Sequence, residues 1–445
     1  MIATPKRLLS IDVFRAVNMF FMIFVNDLSG VKHVPAWIDH VKGWEDNMHF
    51  ADTIFPLFLF IAGLSIPLAI DRRLTKGDSF GSIAIYILLR SFALIVMGFF
   101  HVNMEDYSRD AILPLGVWEL LLTLSFFLIW LDYPDKLAKA KKYALMGLGV
   151  AILVALAFLY KGGSPEHPKG LRPEWWGILG IIGWAYLVCS AVYLVFKGNF
   201  TAMLVALAIF VAINLGVHGK WFDFNIPVVG DADSDALMMF GVVISLLYAR
   251  LISKGSYSSV WPSFALIGAG LIALGFIVRP YTDGISKIRA TPAWVLICTG
   301  IGVILFEFFI WLIDIKGKQN WFKIIKPAGT STLTCYLIPY LLVAIFYIKH
   351  IIAPDYSIYD SADLFAIAFV FILITGFLET GKTRNSYFIA AAIVAVLTIF
   401  SYVYSQSNPD FYNEKAGGMF RSFATCFIVI FITGFLEKRK LRLKI

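Results

Sequence analysis

The sequence predicts an all-α, polytopic integral membrane protein, a bundle of about 12–14 transmembrane helices with both termini on the cytoplasmic side. Three observations carry this. Of the 445 residues, 59% are hydrophobic and 15% charged, with a mean hydropathy of +0.77, whereas soluble domains carry about 25% charged residues. Apolar runs near the roughly 20 residues that cross a bilayer core recur along the whole chain. Basic loops alternate with longer loops rich in His, Asp and aromatic residues.

The N-terminal "MIATPKRLLSIDVFRAVNMF" sets basic residues before an apolar run, as a signal peptide does. Asp12 and Arg15 interrupt that run and no small-residue cleavage site follows, so it reads as a retained first span over 8–28. Further spans are expected near 50–70, 84–103, 111–131, 142–160, 176–196, 200–216, 235–252, 261–279, 291–314, 330–349, 363–379, 385–404 and 419–436. Fusing the short neighbouring pairs gives the lower count of about twelve. Residues 1–349 read as a core and 350–445 as additional helices of the same bundle. The hexapeptide "ITGFLE" at 374–379 and 432–437 is too short a recurrence to mark a duplication.

One set of loops holds "DRRLTKGD", "DKLAKAKK", "ARLISKG", "IKGKQNWFKIIK", "ETGKTRN" and "EKRKLRLKI", with the N-terminal "PKR" among them. By the positive-inside rule this set is cytoplasmic, in a multi-pass protein of the plasma (inner) membrane. The other set, which includes "VKHVPAWIDHVKGWEDNMH" and "KGGSPEHPKGLRPEWW", lies outside. The net charge of +8 is thus loop charge, with some surplus for a polyanionic ligand, and does not point to nucleic acid. Cys189, Cys298, Cys335 and Cys426 stand singly in apolar runs without CxxC spacing, which predicts packing roles with neither a disulfide framework nor a metal site.

Ionisable groups inside spans cost about +2.5 to +3.5 kcal/mol at the bilayer centre, so each needs a partner or a purpose. Asp12 and Arg15, at i and i+3, can pair on one helix face. Alternatively Arg15 joins Arg7, Arg72, Arg73 and Arg90 in an inner-leaflet pocket for a phosphate-bearing ligand. Asp52 opens the second span, where a carboxylate suits the positive helix end. Between the first two spans lie His33, His40 and His49. If the loop folds back, Asn26, His40 and Asp52 converge at one membrane edge and supply a polarising amide, a base and a carboxylate that orients the imidazole. A solvated bystander role for these groups is the competing reading.

"RLLSIDVFRAVNMFFMIFVND" (7–27), a His-containing loop and "ADTIFPLFLFIAGLSI" (51–66) together resemble the transmembrane acyltransferases typified by heparan-alpha-glucosaminide N-acetyltransferase and their bacterial relatives. The resemblance continues in order through "RSFALIVMGFFHVN" (90–103), "LGVWELLLTL" (115–124), "ISKIRATPAWVL" (285–296) and "GTSTLTCYL" (329–337). The chain departs from the family pattern at Ala16, at "GVWEL" and at Ser331, changes that bear on acceptor and donor more than on reaction class. The resemblance implies transfer of an acetyl group from cytosolic acetyl-CoA, as co-substrate, to an amino-sugar or glycan acceptor on the outer face. It places the catalytic roles on His40 and Asn26, with His33 the alternative histidine, by direct transfer or through an acyl-histidine. Asp52 then orients His40, and the five arginines meet the acyl-CoA phosphates. The outer-face Trp37, Trp44, Trp175, Trp176 and Trp221 can stack on a sugar, with interfacial anchoring the competing reading for most of them. Membrane lipid is the other partner, and a homodimer stays open. The competing class is a transporter or flippase for a sugar or lipid-linked glycan, although no inverted repeat is visible.

Overall fold

The computed structural model describes residues 8–222, 228–255, 257–352, 361–379, 381–408 and 414–445. The first half runs α1 (Leu9–Leu28), α2 (Phe50–Thr75), α3 (Phe80–Asn103), α4 (Leu115–Trp130), α5 (Lys139–Leu159), α6 (Gly177–Val195) and α7 (Phe200–His218). The second runs α8 (Asp233–Ser253), α9 (Tyr257–Val278), α10 (Pro292–Phe309), the short α11 (Lys326–Thr330), α12 (Thr332–Ile352), α13 (Ser361–Leu378), α14 (Gly381–Ser407) and α15 (Lys415–Lys438). Eleven helices among the described residues are long and apolar enough to cross a membrane. Three shorter apolar helices, Leu115–Trp130, Thr332–Ile348 and Leu364–Leu378, occupy the remaining predicted segments. The chain is a polytopic, all-α membrane protein.

Local chemistry sets several boundaries. Pro114 delays α4 to Leu115, later than the apolar run begins, because the proline has no N–H to continue an upstream turn. Asn199 caps α7 through an Ala202 N–H donated to its side chain at 3.1 Å. Ser331 separates the short α11 from α12, and α12 carries the expected eleventh span. Arg7 lies outside the described residues.

Burial sorts the helices. In α8 and α10, 67% of the apolar window is buried inside the protein, against 11% for the window in α14. The inner helices α1, α2, α8 and α10 therefore build the core, while α5, α9 and α14 present apolar surface for lipid. The last helix, α15, returns to pack on α1, α11 and α12, so the C-terminal region closes against the first span. Backbone bridges join loops of like position: Lys32 with Glu414 and Tyr107 with Gly162 on one face, Leu131 with Leu443 on the other. That pairing matches the alternation of loop types in the sequence.

Between α2 and α8 the backbones meet directly. A Cβ on Gly63 would overlap the Met238 carbonyl oxygen, and one on Gly241 the Phe60 carbonyl oxygen. Small residues permit such approach in membranes, where dispersion and close fit replace the hydrophobic drive between helices. The two helices run in parallel from the same face, so this contact sets the start of α2 beside the start of α8. Gly241→Val is expected to cost about 1–3 kcal/mol by overpacking, read as a lowered thermal midpoint in detergent. Gly270→Val on α9, where nothing lies within 4 Å of an added Cβ, is the control. Equal losses in the two variants would remove the close-approach explanation.

Candidate active site

The loop from 29 to 49 folds back on the start of α2. Phe50 N–H donates to the Trp37 carbonyl at 3.0 Å and Ala51 N–H to the Ile38 carbonyl at 3.2 Å. A second loop, 279–291, clamps it from the side. Arg279 Nε sits 3.0 Å from Asp46 Oδ2, Ile285 N–H donates to Asp46 Oδ1 at 2.6 Å, and Arg289 Nη1 donates to the Gly43 carbonyl. Burial works to raise the Asp46 carboxyl, but the Ile285 N–H and Arg279 outweigh it and hold the group below its ordinary value.

Asp52 receives what this fold brings to it. Its Oδ1 lies 2.8 Å from His40 Nδ1, and its Oδ2 accepts from Val41 N–H and His49 N–H, each at 3.1 Å. Trp294 Nε1–H donates to the Asp52 backbone carbonyl at 3.0 Å, which ties α10 to the same turn. Asp52 is 1% exposed, whereas the His40 side chain keeps 33% of its surface open. An anionic carboxylate at Nδ1 calls for the proton on that nitrogen, which leaves Nε2 as the basic atom. Lys287 Nζ stands 3.4 Å from His40 Nδ1 and adds a cation beside the ring.

A cavity of about 750 Å³ opens here, lined by His40, Asn26, Lys287, Asp235, Trp175 and Trp176 among others. Asn26 is exposed within it at the end of α1. The neighbouring Asp27 is fixed by Ser422 Oγ–H at 2.7 Å and Arg421 Nε–H at 3.4 Å, so α15 holds that end of α1 in place.

A second cavity, of about 400 Å³, lies towards the face that carries the chain termini and is lined by Arg15, Arg90, Arg442 and Lys444 together with Ser65 and Tyr336. Met22 and Ile178 line both cavities, so a thin wall from α1 and α6 divides them. Arg15 Nη2–H donates to Ser65 Oγ at 2.6 Å and Nη1 lies 3.5 Å from Asp12, the pair that the i, i+3 spacing predicts. Arg90 Nη1–H donates to Tyr86 at 3.0 Å, while its buried Nε has no partner. Arg442 and Lys444 arrive on a terminal segment bridged to Leu131 and paired with Asp132 at 3.1 and 3.0 Å. Burial opposes the Asp132 charge, yet Lys444 and Arg442 hold its carboxyl below the ordinary value.

The chain matches no protein family model. Over 101 residues, 23% of its length, it is 39% identical to heparan-alpha-glucosaminide N-acetyltransferase of Homo sapiens. Over 143 residues, 30% of its length, it is 32% identical to the protein of that name from Mus musculus. These alignments cover 14% and 21% of the two relatives, so the similarity is partial.

Of the residues singled out from sequence, Asn26, His40 and Asp52 come together, and Arg15 and Arg90 share the inner cavity. Arg72 and Arg73 do not line it: Arg72 is exposed, and Arg73 pairs with Asp78 at 3.0 Å and lies over the Tyr86 ring. His33 points elsewhere, 3.6 Å from Glu414. Among the described residues no group of three or more His, Cys, Asp or Glu is placed to hold a metal ion. Lys287, Asp235, Arg442 and Lys444 escaped sequence reading because each sits in a charged loop or at a span end, where charge serves topology anyway. The run "ISKIRATPAWVL" contained Lys287 without marking it.

Burial pushes the Lys287 ammonium below its ordinary 10.5, with Asp52 pulling the other way. Between the folded-state value and 10.5 the unfolded chain binds more protons, so stability rises with pH through that window. The difference in thermal midpoint between wild type and Lys287→Met should therefore grow as pH climbs from neutral. A difference that stays flat or shrinks contradicts the placement.

Proposed function

We propose that the protein is a transmembrane acetyltransferase that moves an acetyl group from acyl-CoA, held on the cytoplasmic side, to an amino-sugar or glycan acceptor in the outer cavity. The observation that carries this is the pair of cavities that share Met22 and Ile178 in their linings, with the His40–Asp52 pair in one and a cluster of cations in the other. The partial similarity to proteins named as N-acetyltransferases supports the same reaction class.

The inner cavity suits the polyanionic end of a coenzyme A thioester. Arg15, Arg90, Arg442 and Lys444 converge there, and the unpartnered Nε of Arg90 offers a buried donor to a phosphate oxygen. The pantetheine arm then runs between Met22 and Ile178 and presents the thioester carbonyl to the outer cavity. His40 Nε2 takes the proton of the acceptor amine as the C–N bond forms, and Asp52 stabilises the resulting imidazolium. Asn26 Nδ2–H and the Lys287 ammonium face the oxyanion. As the C–S bond breaks, His40 returns the proton to the departing thiolate, which leaves the acetylated amine and free CoA thiol.

In purified protein with labelled acetyl-CoA and glucosamine, His40→Ala is expected to lower kcat about 10²–10⁴-fold, and Asn26→Ala about 10²–10³-fold. Undiminished transfer by His40→Ala would falsify the catalytic assignment. Sugar accumulation in proteoliposomes with no acetylated product would instead favour transport.

Donor recognition is separable. Arg90→Met and Arg442→Met should each raise the KM for acetyl-CoA about tenfold or more, the worth of a lost charge-assisted hydrogen bond. The KM for acetyl-pantetheine, which lacks the nucleotide phosphates, should hardly change. Equal effects on both donors would place these arginines away from the phosphates.

A further inference from the structure

The outer cavity holds two orphaned groups of opposite polarity. Asp235, in the first turn of α8, is 2% exposed and lines the cavity, yet its buried Oδ1 has no hydrogen-bond partner among the described residues. Trp184, on α6, lines the same cavity, and its Nε1–H is likewise buried and unpartnered. Leaving either unmatched costs free energy, most of all the carboxylate. Nearby acids are matched: Asp46 has Arg279, Asp52 has His40 with Lys287 close by, Asp231 has His218 at 3.0 Å, and Asp233 of the same lining accepts from Ser234 Oγ–H at 3.1 Å. Among the described residues no ion pair engages Asp235. Its backbone carbonyl accepts from Cys189 Sγ–H at 3.5 Å, which ties this turn of α8 to α6.

We infer that Asp235 and Trp184 form the acceptor subsite and select an aminated sugar. This rests on the acetyl-transfer reading and assigns the acceptor end of the same cavity. A ligand that satisfies both orphans must bring a cationic donor and a neutral acceptor, as the ammonium and a hydroxyl or ring oxygen of an amino sugar do. Trp175 and Trp176, in the same lining, offer the aromatic faces on which a pyranose stacks. Asp235 then acts as a positioning residue. The bound ammonium first loses one proton to solvent; Asp235 then holds one N–H of the neutral amine while His40 Nε2 takes the other proton as the lone pair attacks the thioester carbon. A hydroxyl acceptor gives Asp235 no counter-charge, so the same wall discriminates against sugars that lack the amine.

The test is equilibrium binding to detergent-purified full-length protein without any acyl donor, with D-glucosamine, glucose and cyclohexylamine as probes. Wild type is expected to bind glucosamine at least about tenfold more tightly than either of the others. In Asp235→Asn the preference over glucose should vanish, because glucosamine weakens while glucose holds. In Trp184→Phe, which keeps the ring and removes the N–H, the preference over cyclohexylamine should fall about threefold or more. An unchanged preference in a folded Asp235→Asn overturns the inference, and should that variant not fold, an unchanged Trp184→Phe profile overturns it instead. If the preferences behave as stated but no acetyl transfer is found, the subsite stands and the reaction reading falls. If transfer is found while Asp235→Asn discriminates as wild type does, the subsite falls and the reaction stands.

Discussion

The half of the molecule that holds the His40 cavity is organised around one buried carboxylate. Asp52 starts the second helix, so the unsatisfied N–H groups and positive end of that helix already favour its charge. A carboxylate at 1% exposure still needs donors for its oxygens, and the loop supplies them from Val41, His49 and the His40 imidazole. Helix cap, loop anchor and imidazole orienter are thus one residue. The loop cannot leave α2 without stripping a buried charge of its partners, so the position of His40 follows from electrostatics instead of from loop stiffness.

The rest of the architecture guards that arrangement. Arg279 and Arg289 clamp the loop from the far side, Trp294 ties α10 to the Asp52 backbone, and Asn18 Nδ2–H donates to the Ile54 carbonyl at 3.0 Å to lock α1 to α2. The glycine contact between α2 and α8 then brings Asp235 to the same cavity. In a bilayer these polar links cannot be replaced by water, and the inner helices are accordingly the most buried. The lipid-facing helices α5, α9 and α14 carry few such links and add apolar surface to the bundle.

Charge divides the molecule along its other axis. Cations gather towards the face with the termini, in the cavity of Arg15, Arg90, Arg442 and Lys444, while carboxylates and imidazoles gather in the loops opposite. Cations near one membrane surface suit both the positive-inside pattern and an anionic ligand, so one set of residues can answer both demands. This double use also hides them: in the sequence, Arg442 and Lys444 are indistinguishable from any other positive-inside charge.

The sequence by itself determined the fold class, the fourteen apolar segments, the alternation of loops and the nearness of Asn26, His40 and Asp52, because span length, loop charge and short separations are all local quantities. It separated His40 from His33 only through a resemblance, whereas in the tertiary structure one meets Asp52 and the other Glu414. It could not decide which arginines converge: Arg72 and Arg73 are as basic as Arg90, and only helix rotation and the Tyr86 contact turn Arg73 away. Nor could it find Asp235, Lys287, which lies 247 residues from His40, or the Arg442 segment, 310 residues from Asp132; these reach their sites through helix packing in no readable pattern of spacing. Side-chain chemistry is written residue by residue, but a cavity is made by surfaces from distant helices, and which residues face it is settled only when those helices pack.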